Sequence, residues 1–203
     1  MKSITGLPLA FSQSQPDSWN FNPQTGSLTA RARPQTDLYT DPKNGTDTPD
    51  TLNALTCLGL PLSDDFQISS KVHVSFNSDY DAGALLIWSN PQTWAKLCFE
   101  YSPDQEFMVV SVVTLGTSDD ANSFTVTAPE VWLRISRISS VYAFHASSEG
   151  KRWRLIRVFT LGTAVADHRI GFVVQAPVGT GCEVAFREIS FTYSSLSDLR
   201  DGS

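Results

Sequence analysis

Residues 81 to 102, D-A-G-A-L-L-I-W-S-N-P-Q-T-W-A-K-L-C-F-E-Y-S, carry a lysine and a glutamate four positions apart, bracketed by two tryptophans. An ammonium donates hydrogen bonds, and a carboxyl group accepts or donates a proton according to its surroundings. Indole faces stack on rings. Apolar residues alternate on both sides of Asn90-Pro91-Gln92, the pattern of a β-hairpin. With the turn there, Trp88 faces Trp94, Leu86 faces Lys96, Ala84 faces Cys98 and Ala82 faces Glu100, all on one side of the ribbon. The other side pairs Ile87 with Ala95, Leu85 with Leu97 and Gly83 with Phe99, and reads as core. Small residues beside Glu100 leave a hollow, and a hollow walled by Trp with few polar groups is a ligand site in outline.

The next strand offers either Met108, Val110, Val112 and Thr114 or Phe107, Val109, Ser111 and Val113 to that face. Both rows are mostly apolar, so burial is expected to push Glu100 up and Lys96 down in pKa. Four residues of strand span about 13 Å, so a ligand or another side chain has room between the two. Two separately solvated side chains on an exposed face is the alternative reading.

Four further residues are candidates. His145, in V-Y-A-F-H-A, is out of phase with Tyr142 and Phe144; on the Lys96 face it would exchange protons near neutral pH, although a solvent-facing strand histidine is the commoner case. Arg134 shares a face with Trp132 and Ser136, where it would hold a carbonyl or carboxylate or stack on an indole. Arg157 and Gln175 are candidate ligand contacts. The catalytic set is thus Lys96, Glu100, Arg134 and His145, and the substrate-binding set Trp88, Trp94, Arg157 and Gln175.

Other chemistries lack their residues. His73, His145 and His168 have no metal-ligand spacing, and no metal or cofactor is expected. Asp64-Asp65 and Asp119-Asp120 read as turn acids. No P-loop, G-x-G-x-x-G or G-x-S-x-G is present. Glycoside hydrolysis needs two paired carboxylates, whereas Glu100 stands alone on its strand.

These residues require a scaffold of strands. The sequence has 203 residues, 41% hydrophobic and 18% charged, with a net charge of −6. That suits one domain over 1–203, with a flexible tail from about 195, and disfavours nucleic acid or an anionic membrane as partner. No apolar run spans a bilayer, and the N-terminus lacks a signal-peptide core. Three cysteines without framework spacing fit a reducing compartment, so a cytoplasmic location is expected. The sequon Asn44-Gly45-Thr46 then reads as a turn. Oligomeric state is not legible. Period-two alternation recurs along the chain, most cleanly over 66–76, where only Ser70 interrupts an apolar face. Further strands are expected at 27–32, 53–58, 82–89, 94–101, 107–115, 123–127, 131–137, 140–146, 153–159, 169–176 and 182–193. Residues 12–25 and 33–52 read as long loops. The fold class is all-β: an antiparallel two-sheet β-sandwich of jelly-roll type.

The runs Y-D-A-G-A-L-L-I-W, W-A-K-L-C-F-E-Y, S-V-V-T-L-G-T-S-D-D, W-L-R-I-S-R, S-S-E-G-K-R-W-R-L-I-R-V-F and G-F-V-V-Q-A-P, with T-D-L-Y-T-D-P-K-N-G upstream, resemble the DUF1349 family in consistent order over about residues 18–192. The resemblance implies a concanavalin A-like jelly roll, a superfamily that includes lectins, glucanases and a yeast protein linked to enolase regulation. The family pattern falls on Asp81, Gly83, Trp94, Lys96, Glu100, Ser118, Asp119, Arg134, Gly150, Trp153, Arg157, Gln175 and Pro177. The usual S-x-D-G turn stands here as Ser147-Ser148-Glu149-Gly150. The family label carries no settled activity.

Two functional classes stay open. One is an enzyme acting on an apolar organic metabolite, a lyase or pericyclase such as a hetero-Diels–Alderase of natural-product biosynthesis, which needs shape and one or two polar groups. The other is a non-catalytic carbohydrate-binding or metabolic regulatory module. The apolar rows beside the Trp pair favour the first. In either case the expected partner is a small organic molecule.

Overall fold

A computed structural model describes residues 9–43, 51–62, 65–162 and 167–203. The sequon Asn44-Gly45-Thr46, Asp64 and the first eight residues lie outside them. The strands are β1 (Phe11–Gln13), β2 (Trp19–Asn22), β3 (Ser27–Arg31), β4 (Leu38–Tyr39), β5 (Thr51–Leu52), β6 (Leu55–Gly59), β7 (Phe66–Ser75), β8 (Ala82–Asn90), β9 (Thr93–Tyr101), β10 (Phe107–Leu115), β11 (Thr117–Val126), β12 (Glu130–Ile138), β13 (Val141–Ser147), β14 (Arg154–Phe159), β15 (Arg169–Gln175) and β16 (Glu183–Thr192). A single 3-10 turn, Pro16–Ser18, precedes β2, and no α-helix occurs among the described residues.

Two seven-stranded antiparallel sheets form a sandwich. The first runs β1-β6-β15-β8-β9-β10-β11 and the second β14-β13-β12-β7-β16-β3-β2. A two-stranded piece, β4-β5, crosses the outer face of the first sheet and packs on it through Leu38 and Leu52. The loops expected at 12–25 and 33–52 therefore contain most of β1 and all of β2, β4 and β5. These strands are two to four residues long, too short for alternation to show.

Alternation decides which side chains meet. Strand β7 buries Phe66, Ile68, Val72 and Val74 between the sheets and turns Gln67, Ser69, Lys71 and His73 outward. Ser70, the polar interruption, is fully buried and donates to the Arg187 carbonyl at 2.9 Å, where β16 carries a bulge. Its hydroxyl is thus satisfied inside an apolar layer. Opposite, Leu85, Ile87, Leu97 and Phe99 complete the core. Each such side chain contributes about 1.5–3 kcal/mol by leaving water. Gly83 lies on this inner face opposite Phe99, and a Cβ there would run into Val72 and Val184 of the other sheet. Its missing side chain lets the sheets close.

The tail, expected to fray from about 195, lies across the outer face of the second sheet. Leu196 is buried, and the carbonyls of Leu199 and Gly202 accept hydrogen bonds from His145 and Arg134.

Candidate functional site

The β8–β9 hairpin has the register expected from its turn: Ala82 opposes Glu100, Ala84 Cys98, Leu86 Lys96 and Trp88 Trp94. On the far side of β9, Met108, Val110, Val112 and Thr114 oppose Glu100, Cys98, Lys96 and Trp94, the first of the two alternatives. Two rows across the sheet build the site. One runs Leu86, Lys96, Val112, Asp120 from β8 to β11; the other runs Gln175, Ala82, Glu100, Met108 from β15 to β10. Ala82 thus separates Gln175 from Glu100 by two strand spacings, about 10 Å, and leaves open space between them.

Residues 36–40 roof this space. Thr36 exchanges backbone hydrogen bonds with Ala176, and Thr40 exchanges hydrogen bonds with Ser118, whose hydroxyl also meets Thr114. Pinned at both ends, the strap turns Leu38 one way and Asp37 and Tyr39 the other. The Asp37 carboxylate is held by the Leu38 amide at 2.7 Å, and the Asp37 amide by Asn53 at 2.9 Å. On the opposite wall, Asp81 accepts the amides of Asn77 and Ser78 and shapes the turn that presents Tyr80. The result is a hollow of about 410 Å³ lined by Asp37, Tyr39, Tyr80, Lys96, Glu100, Val112, Asp120, Gln175, Pro177 and Val178.

Lys96 is only 2% exposed; its ammonium donates to Gln175 Oε1 at 2.7 Å and lies 3.7 Å from Asp37 Oδ1. Burial alone would favour the neutral amine, but Cys98 beside it, with Asp37, Glu100 and Asp120, outweighs burial and holds Lys96 above its ordinary value. The expected downward shift is therefore corrected: the thiol of Cys98 and the carboxyl groups gathered around the amine reverse it. Glu100 moves as expected, with burial pushing it up to about 8 against the pull of Lys96. Asp120 is raised for the same reason. At neutral pH Glu100 is thus largely a protonated glutamic acid beside the Lys96 ammonium, with Asp37 and Asp120 lining the same hollow. Among the described residues no group of three or more His, Cys, Asp or Glu side chains converges as a metal site requires.

A stability measurement checks the Glu100 shift. The folded protein binds more protons than the unfolded chain between pH about 4.5 and about 8, so the contribution of Glu100 is fully present below that window and is lost as pH rises through it. Glu100→Gln is expected to match the parent near pH 4.5 and to exceed it by about 1–2 kcal/mol at pH 8, the open hollow screening the rest. Urea denaturation across this range reads the difference, and a flat difference contradicts the shift.

Of the eight residues proposed from sequence, the structure brings together Lys96, Glu100 and Gln175. Trp94 is fully buried, its ring nitrogen donating to the Pro91 carbonyl at 3.2 Å, so it supports Lys96 from 5.9 Å and offers no free face. Trp88 is half-buried and lines a different hollow. Arg134 and His145 oppose each other on β12 and β13, on the outer face of the second sheet. There Arg134 lies 4.3 Å from the Trp153 ring, and His145 is fully buried under the tail and pushed down to about 4 by burial and by Arg134. Neither reaches Lys96, because alternation assigns a side but not a sheet. Arg157 on β14 binds Asp119 on β11 at 2.8 Å and ties together the edges of the two sheets. The groups missed from sequence are Asp37, Tyr39, Tyr80 and Asp120. The signal for Asp37 and Tyr39 was the D-L-Y alternation inside a segment of loop-like composition.

The model of the DUF1349 family, described as a protein of unknown function, matches residues 13–194. "Regulation of enolase protein 1" of Saccharomyces cerevisiae is 30% identical over 146 residues, 71% of this chain and 72% of that one. A crystal structure of a functionally unknown protein from Saccharomyces cerevisiae superposes with a TM-score of 0.79 at 24% identity, over 95% of this chain and 99% of the other. The carbohydrate binding module CBM66 from Bacillus subtilis superposes with a TM-score of 0.51 at 11% identity, over 89% and 94%. At those identities the two structures share the fold.

Proposed function

Taking as premise that this chain belongs to the DUF1349 family and has its jelly-roll sandwich, we propose that it is a non-catalytic binding module whose Lys96 hollow takes a small, neutral, polyhydroxylated ligand of carbohydrate type. The observation that carries this reading is the buried Lys96–Gln175 clasp beneath three acidic side chains and two tyrosines. Hydroxyl groups can donate to Asp37 and Asp120 and accept from Lys96, Tyr39 and Tyr80. An anionic ligand would meet two aspartates against one ammonium. An apolar one would strip water from ionised groups without replacing their hydrogen bonds. That last point turns the preference away from the apolar metabolite expected from the β10 row alone, because Asp37, Tyr39 and Asp120 come from segments outside that row. A yeast relative named for enolase regulation, and a carbohydrate-binding module of the same fold, support a role exercised through binding. Three free, buried cysteines keep a reducing, cytoplasmic setting as part of the proposal.

Calorimetric titration of the full chain with neutral mono- and disaccharides and polyols tests it, alongside Glu100→Gln and Tyr80→Phe. Saturable binding weakened about tenfold in one or both variants is expected. Heat exchange with none of these probes, or affinity unchanged in both variants, overturns the reading.

One observation favours a second class. Glu100, pushed up to about 8, is a carboxylic acid at neutral pH and suits general-acid assistance of a lyase or hetero-Diels–Alder reaction. Turnover of an unsaturated carbonyl substrate that is lost in Glu100→Gln, with binding retained, would replace the module by an enzyme.

A further inference from the structure

A second hollow, of about 600 Å³, opens on the other side of the strap and on the same face of the first sheet. Leu38 and Leu52 face it, while Asp37 and Tyr39 face the Lys96 hollow, so the β4-β5 piece partitions the two. Along β15 the separation is large. Gln175 serves one hollow and Arg169 the other, six residues or about 20 Å apart.

The walls of this second hollow are of two kinds. Trp88, half-buried, forms an apolar side with Leu52 and the largely exposed Leu60. Ser12, Ser14 and Thr56 from the β1–β6 edge supply hydroxyls, and Arg169 on β15 stands directly opposite Trp88 on β8. Ser14 Oγ accepts the Thr56 amide at 2.9 Å, which leaves its proton to donate. Arg169 forms no ion pair among the described residues, and Asp167 lines the same hollow, so their charges balance. An indole wall facing an array of donors and acceptors with no net charge suits a ring that has an apolar face and a hydroxylated rim. A wholly apolar ligand would leave the arginine and the hydroxyls desolvated and unpaired. An anion would meet Asp167, and a cation Arg169.

We propose that the Trp88 hollow is a second, independent binding site that takes one ring of a neutral saccharide, stacked on the indole of Trp88 and hydrogen-bonded to Thr56, Ser14 and Arg169. It stands whether or not the Lys96 hollow binds anything. If both are occupied, the strap makes the protein bivalent, and a surface bearing many such rings is held with an effective concentration that neither site reaches alone.

The test uses the full chain and the methyl glycosides of glucose, galactose, mannose, xylose and fructose, read by saturation-transfer NMR and by tryptophan fluorescence. Trp88→Ala, the milder pair Thr56→Val with Arg169→Gln, and Glu100→Gln are compared, each after its melting curve shows a folded protein. The expected result is that at least one glycoside binds, that one of its binding phases weakens about tenfold or more in Trp88→Ala and in the Thr56/Arg169 variant, and that this phase is retained in Glu100→Gln, which reports on the Lys96 hollow alone. Should Trp88→Ala fail to fold, the Thr56/Arg169 variant decides alone. Binding by none of the five glycosides overturns the proposal. So does binding lost in Glu100→Gln but kept in the Trp88 and Arg169 variants, which would leave the Lys96 hollow as the site.

Discussion

Lys96→Met is expected to lower the unfolding free energy by about 3 kcal/mol at pH 8 and by clearly less at pH 5. Methionine preserves most of the stem, so the loss isolates the ammonium. Two consequences add. Gln175 Oε1, which accepts the Lys96 hydrogen bond at 2.7 Å in a residue only 3% exposed, is left unpaired, a cost of about 1–3 kcal/mol. The acidic side chains also lose the one charge that opposes their mutual repulsion. Lys96 is what pulls Glu100 and Asp120 down against burial, so without it both carboxyls rise further. A carboxyl whose folded pKa is raised costs stability as pH climbs past its unfolded value, and the penalty therefore grows from pH 5 to pH 8. Denaturation with urea at both pH values reads it. Adding Glu100→Gln to Lys96→Met should restore part of the loss at pH 8, and that non-additivity measures the coupling. An equal cost at both pH values would mean that Lys96 fills space and little else.

The parts of this site legible in the sequence are those that rest on a long alternating hairpin. Ala82, Ala84, Cys98 and Glu100 could be placed on one face because a two-residue period and a turn at Asn90-Pro91 leave one register that buries the other face. What escaped has a different cause in each case. Asp37 and Tyr39 lie beside and on a two-residue strand whose position comes from long-range bonds of the Thr36 and Thr40 backbone groups, which leave no mark on the sequence of the strand itself. Asp120 sits in the first half of β11, an edge strand exposed along most of its length, and no apolar rhythm extended the strand expected at 123–127 back to it. It shares the hollow with Lys96 because both stand in one cross-strand row, on either side of Val112. Arg134 and His145 fail for a third reason. Their outward orientation was readable, but chain order does not say which sheet a hairpin joins, and β12 and β13 join the second. The pKa of Lys96 followed the same logic. Burial was visible from its neighbours on β9, whereas Asp37 and Asp120, which join Cys98 and Glu100 in reversing its effect, arrive from elsewhere in the chain.

Gly171→Ala is expected to cost about 3–5 kcal/mol and to weaken both hollows together. Gly171 has φ of +157° and sits between Leu58 and Leu86 in the row that leads to Lys96. A Cβ built there would lie inside the contact distance of the Cys57 carbonyl oxygen, a backbone atom with no rotamer to escape into. Relief requires β15 to move away from β6, which breaks ladder hydrogen bonds in the middle of the first sheet. Gly26 is the control. At φ of +64° it is strained by alanine in the same sense, yet nothing lies within 4 Å of its Cβ position, so its cost should be about 1 kcal/mol. The difference between the two variants in chemical denaturation isolates the steric part. Because β15 carries Arg169 at one end and Gln175 at the other, its displacement shifts a wall of each hollow, and ligands of both should lose affinity in any folded fraction of Gly171→Ala. A Gly171→Ala protein within 1 kcal/mol of the parent would show that the two sites are not positioned by this close approach of β15 to β6.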